Sequence, residues 1–259
     1  MMEIDKFKIG GTLAALHLHK PIRSLYRALF GAEGRRRRKR LHDFYAPLIK
    51  PGDLVYDVGA NIGIYSEIFC SLGAKVIAIE PIPDCVQQLN RWLPSDKVIV
   101  IEGSVGSAPG TGRLHLSSIR SGSSMSDDWV RVVEHSPLSK TMHWVKDLEV
   151  RIVTLDAVSE QYGKPKYVKI DVEGYEEFVF DGMSWQPDLL SFEFHKEIIE
   201  KTFRCLAKPC ISKDSHFNYL LGEPGNFKYD RWISLEQLKQ ALSEMDHEHG
   251  FGDIFVRKP

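Results

Sequence analysis

Leu54-Val55-Tyr56-Asp57-Val58-Gly59-Ala60-Asn61-Ile62-Gly63-Ile64-Tyr65-Ser66 is followed, seven residues on, by Ala74-Lys75-Val76-Ile77-Ala78-Ile79-Glu80-Pro81. The first stretch is a short apolar run that turns through two glycines into a helical pattern, and the second is an apolar run that ends on an acid. Together they read as a nucleotide-type βαβ opening. Gly59 allows a tight turn beneath a ligand, Gly63 allows the helix to sit close on the sheet, and Glu80 at a strand end is placed for a pair of ribose hydroxyls. The dinucleotide fingerprint needs glycine where this chain has Asn61 and Ile64, so a pyrophosphate fits poorly. A nicotinamide-dependent oxidoreductase is therefore the alternative reading rather than the leading one.

Farther along, Thr154-Leu155-Asp156 leads to Tyr167-Val168-Lys169-Ile170-Asp171-Val172-Glu173-Gly174-Tyr175-Glu176. With these residues added, the chain from about Pro51 to its end resembles the FkbM family of class I S-adenosylmethionine-dependent methyltransferases. The resemblance implies an α/β, Rossmann-like fold: a mostly parallel seven-stranded sheet with helices on both faces and an antiparallel last strand. It implies S-adenosyl-L-methionine as cofactor, held by Asp57, Gly59, Ala60, Asn61, Gly63, Glu80, Pro81, Gly103, Ser104 and Asp171, with Asp57 meeting the amino-acid end. It also implies a hydroxyl of a small molecule or glycan as acceptor.

Composition bounds the alternatives. In 259 residues, 34 basic side chains face 35 acidic ones, which excludes a globally basic nucleic-acid binder. Positions 35–40 are nonetheless all Arg or Lys, a run that could touch an anionic surface. Cys70, Cys85, Cys205 and Cys210 have neither the density nor the spacing of a disulfide framework or zinc site. No apolar run approaches the ~20 residues that span a bilayer, and the expectation is a cytoplasmic protein.

In domain terms, residues 1–50 read as a helical extension carrying the basic run and residues 51–259 as the methyltransferase domain. The extension holds two short helices over residues 1–34, surface histidines His17 and His19, and an amphipathic helix from Leu41 to Ile49. The basic run itself is expected to lie outside the fold and the chemistry.

Strands are expected at Leu54–Val58, Lys75–Glu80, Val98–Glu102, Tyr167–Val172, Leu189–Phe194, His216–Leu221 and Phe251–Val256. The last of these inserts between its two predecessors. Gly110 to Leu116 reads as a hairpin, and the Ser- and Gly-rich stretch Ser117 to Ser126 as a mobile loop over the mouth of the site.

Parallel α/β sheets bind ligands at the carboxyl ends of their strands. Methyl transfer to oxygen also calls for a group that takes the acceptor's proton. The candidates at the strand ends are His195, preferred as base because it titrates near neutrality, then Asp171, Glu193 and Lys169. Lys169 and Asp171 share a strand face and can pair. No metal site is expected.

Overall fold

The computed structural model describes residues 31–222, 225–245 and 250–259; the expectations for residues 1–30, His17 and His19 included, lie outside them. The chain runs α1 (Gly31–Tyr45), β1 (Leu54–Val58), α2 (Ile64–Ser71), β2 (Lys75–Glu80), α3 (Pro83–Trp92), β3 (Val98–Glu102), β4 (Ser104–Val105) and β5 (Gly110–Ser117). It continues through α4 (Asp127–Glu134), β6 (Trp144–Val153), α5 (Leu155–Tyr162), β7 (Tyr167–Ile170), α6 (Glu176–Asp181) and β8 (Leu189–His195). The final elements are α7 (Ile199–Leu206), β9 (His216–Leu221), α8 (Leu235–Ser243) and β10 (Phe251–Arg257).

The main sheet has seven strands in the order β3-β2-β1-β7-β8-β10-β9. The first five pair in parallel, and β10 enters antiparallel between β8 and β9, as expected. Side-chain alternation gives each strand two buried faces. Val55, Ala78 and Tyr167 pack with α1 and α2, while Tyr56, Val58, Ile77 and Val168 pack into the opposite layer with Val179, Phe180 and Leu206. β7 ends at Ile170, two residues before the sequence-based limit, because Glu173 and Gly174 both adopt positive φ, at 53° and 83°, and turn the chain off the sheet.

Three other expectations are corrected. The helix expected over Leu41 to Ile49 is the second half of α1, which ends at Tyr45 and begins at Gly31, so the basic run is helical. Leu41, Phe44 and Tyr45 form its inward stripe: Phe44 meets Phe255 edge-on at 5.6 Å between ring centroids, and Tyr45 meets Phe69 at 5.1 Å. Arg38 pairs with Glu67 of α2 at 3.2 Å, so the run is built into the domain rather than set outside it.

Next, Gly110 to Leu116 is not a local hairpin. It is most of a strand, β5, that pairs antiparallel with β6 across an excursion containing α4, in a second sheet of order β4-β6-β5. Third, the Ser-rich stretch is a packed wall. Ser117, Ser124 and Ser126 are buried, His115 bridges Ser124, and the Ser124 hydroxyl donates to the Glu173 carbonyl at 2.6 Å. Serine is polar enough to read as loop, yet small enough to be buried wherever its hydroxyl finds a backbone partner.

Candidate active site

The turn after β1 is fixed by its own backbone. Gly59 and Ala60 both donate to the Ile79 carbonyl, at 2.9 and 3.1 Å, and Gly63 donates to the Ala60 carbonyl at 2.8 Å. Asn61, at φ 49°, donates its N–H to Glu80 Oε2 at 2.8 Å. Gly59 is required by a close approach, since a Cβ there would stand 1.9 Å from the Asp171 carbonyl oxygen. At Gly63 the close neighbour is not the sheet, as expected, but α3: a Cβ would meet Leu89 at 2.6 Å.

Above this turn lies a cavity of about 520 Å³, inside the range of roughly 300–1,000 Å³ typical of small-molecule sites. It sits at the carboxyl ends of β1, β2, β7 and β8. Gly59, Ala60, Asn61, Glu80, Pro81, Gly103, Ser104 and Asp171, all expected at a donor site, line it.

Glu80 is buried and held by two backbone donors, Asn61 on Oε2 and Ile82 on Oε1, each at 2.8 Å. Burial pushes its pKa up to about 7 against the pull of those two bonds. Each oxygen keeps a lone pair for a further donor.

Four expected residues stand differently. Gly63 and Asp57 are behind the wall; Asp57 Oδ2 accepts from the Ser66 hydroxyl at 2.6 Å, and burial raises its pKa although Lys169 and Ser66 oppose. Asp57 thus supports the turn and does not line the cavity.

Lys169 is also behind the wall. Its Nζ donates to Asp171 Oδ2 at 2.7 Å and lies 4.2 Å from the centre of the Tyr65 ring. Burial opposes its charge, but Asp171, Asp253 and Tyr65 outweigh burial and hold its pKa well above the ordinary value. The expected pairing with Asp171 is present, and it aims the Asp171 carboxylate rather than putting an ammonium in the cavity.

His195 is the fourth. Its ring lies behind Glu193, 4.2 Å from the Trp129 ring by centroids, with Nε2 3.2 Å from Glu193 Oε2 and 3.9 Å from Glu173 Oε2. The 3.2 Å approach lacks hydrogen-bond directionality, so it is a coulombic contact between two atoms shut off from solvent. Burial alone would keep the imidazole neutral, but Glu193, Glu176 and Glu197 outweigh it and raise its pKa.

Glu193 and Glu173 themselves face the cavity. Burial, then Glu193 and Asp171, hold Glu173 well above the usual carboxylate range. Glu173 also carries one of two positive-φ backbones at a non-glycine residue among those described, a local strain of the kind that marks functional positions. Glu173, Glu193 and His195 offer ligand atoms within 4.8 Å of one another, a donor set whose chemistry also suits a divalent cation.

Asp253 and Glu176 were not among the site residues expected from the sequence. Asp253 of β10 is paired in register with Glu193, is buried, lines the cavity, and is pushed up to about 7 by burial against the pull of Lys169. Its signal was an acid in the middle of a strand of Phe, Ile and Val. Glu176 closes the second motif; its Oε1 turns back to accept from Gly174 N at 3.2 Å, and burial raises its pKa to about 7.

The sheet order, the antiparallel β10 and a cavity at the parallel strand ends define a class I methyltransferase fold. Residues 57–251 match the model of the methyltransferase FkbM domain, and the chain belongs to that family.

Among characterised proteins, a stretch of 138 residues is 34% identical to the hexuronic acid methyltransferase AglP of Haloferax volcanii, covering 51% of this chain and 50% of that one. A stretch of 92 residues is 36% identical to a ubiquinone biosynthesis O-methyltransferase of Methylocella silvestris, covering 34% of each. The matched region thus spans half the length of the first relative and about a third of the second. A solved precorrin-6y C5,15-methyltransferase from Geobacter metallireducens overlays at TM-score 0.41 and 11% identity, covering 86% of this chain and 87% of that chain. Among the described residues no helix is long and apolar enough to cross a membrane.

Proposed function

We propose that the protein transfers the methyl group of S-adenosylmethionine to a hydroxyl of a small molecule or glycan. The observation that carries the donor is where the turn's N–H groups go. Those of Gly59, Ala60, Asn61 and Gly63 are all engaged within the protein, one of them on a carboxylate, so the turn has fewer amides to offer a pyrophosphate than a glycine-rich dinucleotide turn. A ligand with ribose hydroxyls and no phosphate fits it: the fixed Glu80 carboxylate accepts from the ribose, and Gly103 and Ser104 line the adenine side. Nicotinamide dinucleotides are disfavoured on the same ground.

The donor supplies an electrophilic methyl on a sulfonium. The chain's task is to align the acceptor oxygen with it and to remove that oxygen's proton. Glu193 is the wall group suited to take the proton, and His195, behind it, positions and balances the Glu193 carboxylate. This revises the preference for His195 as the base itself. Glu173, which burial and then Glu193 and Asp171 shift toward the protonated form, can donate a hydrogen bond to the acceptor.

A wall that carries Asp171, Glu173, Glu193 and Asp253 offers hydrogen-bond partners to a neutral hydroxyl. Ile119 and Phe251, exposed apolar side chains that also line the cavity, offer the acceptor a nonpolar edge. The relatives' names, one a hexuronic acid methyltransferase and one an O-methyltransferase, agree with an oxygen acceptor.

The test is a screen of neutral polyols, phenols and glycosides, with uronic acids beside them, with methyl-labelled donor. Label in an alkali-stable ether supports the reading. Label only in base-labile esters overturns the hydroxyl assignment.

A further inference from the structure

The six-residue basic run is divided by the helix that carries it. Arg35, Arg36, Lys39 and Arg40 are exposed, and at 3.6 residues per turn they fall within about 140° of arc on one side of α1. Arg37, Leu41, Phe44 and Tyr45, at the i, i+4, i+7, i+8 spacing, take the opposite side; the last three are core residues, and Arg37 lines the cavity. The outward arc also holds Asp43, which pairs with Lys39, and it keeps a net positive charge.

The sequence leading into this face has the same sign. Residues 6–40 hold eleven of the 34 basic side chains and a single acid, Glu33, a balance of +10 in a chain whose total is −1, so the rest of the chain carries −11. Within residues 6–30 the cations Lys6, Lys8, Lys20, Arg23 and Arg27 are interleaved with apolar residues such as Leu13, Leu16, Ile22 and Leu25, and there is no acid at all. A basic face continued by a basic, apolar and acid-free segment matches the boundary between anionic headgroups and acyl chains, where the cations meet phosphates and the apolar side chains leave water. A nucleic acid would meet the cations but give the leucines and isoleucines nothing to bury against.

One helix thus carries cations outward and lines the cavity inward. A surface docked on its outer side lies about one helix diameter, roughly 10 Å, from the cavity. The wall of that cavity includes two exposed apolar side chains, Ile119 and Phe251.

We infer that the outward face of α1 docks on an anionic bilayer surface, with residues 6–30 supplying the apolar part of the contact, and that this docking holds the cavity beside the headgroups. The inference stands independently of the donor reading above.

It is tested by co-sedimentation of the full chain with vesicles of phosphatidylcholine alone and of phosphatidylcholine mixed with phosphatidylglycerol. The protein should partition onto the mixed vesicles and not onto the neutral ones. Arg35→Gln, Arg36→Gln and Lys39→Gln together should lower that partition roughly tenfold or more. Lys75→Gln, Lys97→Gln and Lys164→Gln together remove the same charge from exposed lysines at or just before the starts of β2, β3 and β7, at the sheet end away from the cavity, and should change it by less than about twofold.

No partition onto the mixed vesicles, or equal losses in the two triple variants, would overturn the inference. A chain that ignores both vesicles but binds a homopolymeric RNA through Arg35, Arg36 and Lys39 would assign the face to nucleic acid and overturn it as well.

Discussion

The two ends of the cavity are built in different ways. The end at Glu80 is made by backbone: the turn after β1 engages its own amides, and Glu80 is clamped by two N–H groups from within 20 residues of it in sequence. The other end is made by side chains from α1, β7, β8 and β10 and from the wall at residues 117–126, drawn together by the sheet order. The first is rigid and chemically plain. The second concentrates buried acids whose charges perturb one another. A short motif can encode the first kind of site, whereas the second exists only once the chain has folded.

The comparison breaks most sharply at Glu193. Glu193→Gln keeps the shape but cannot take a proton, so turnover should fall by roughly 10² to 10⁴ with donor affinity nearly unchanged. Single-turnover kinetics beside calorimetry reads both. His195→Ala should lower turnover in the same direction and leave donor affinity alone, and activity should persist in a chelator. Restoration of activity by an added divalent cation after chelation would instead make Glu173, Glu193 and His195 ligands.

At the backbone-built end the largest effect is steric. Gly59→Ala forces a Cβ onto the Asp171 carbonyl at a backbone angle of φ 82°, so the two strand ends must part. A loss of about 2–4 kcal/mol in chemical denaturation is expected, with donor binding lost alongside. Unchanged stability would mean that the turn and β7 are not in contact. Phe44→Ala should cost a similar ~3–5 kcal/mol, since it empties a core position between α1 and β10.

These residues also show what could be read from the chain alone. The boundaries of β1, β2, β3 and β9 follow from periodicity and turn residues. The reach of α1 was missed because six consecutive charges masked an inward stripe with Arg37 at its head. The β5–β6 pairing was missed because its partners are separated by α4 and a turn-rich stretch. At the site, residues in the two motifs were found, but which of them face the cavity depends on depth within the sheet. Asp57 and Lys169 are fully buried beneath the same strand ends whose next polar residues, Glu80 and Asp171, form the wall.

A smaller effect sharpens the electrostatic half of the comparison. Glu80, Glu176 and Asp253 have folded-state pKa values raised to about 7, so each favours the folded state when protonated. Their contribution is complete below the ordinary carboxylate range and is lost as pH rises through about 7. Stability without ligand should therefore decline between about pH 5 and 8. Asp253→Asn should flatten that decline by up to one proton's worth of slope, measured as denaturation free energy against pH. An unchanged slope would mean that Asp253 is already ionised in the folded protein.

The central claim is that the cavity is a donor site read by Glu80 without the amide supply of a glycine-rich dinucleotide turn. Calorimetric titration of the full chain with S-adenosylmethionine and, separately, with a nicotinamide dinucleotide tests it most directly. One S-adenosylmethionine should bind per chain, weakened tenfold or more by Glu80→Ala through the loss of charged hydrogen bonds worth roughly 1.5–3 kcal/mol each, and the dinucleotide should not bind. Tight dinucleotide binding, or S-adenosylmethionine affinity indifferent to Glu80→Ala, would contradict it.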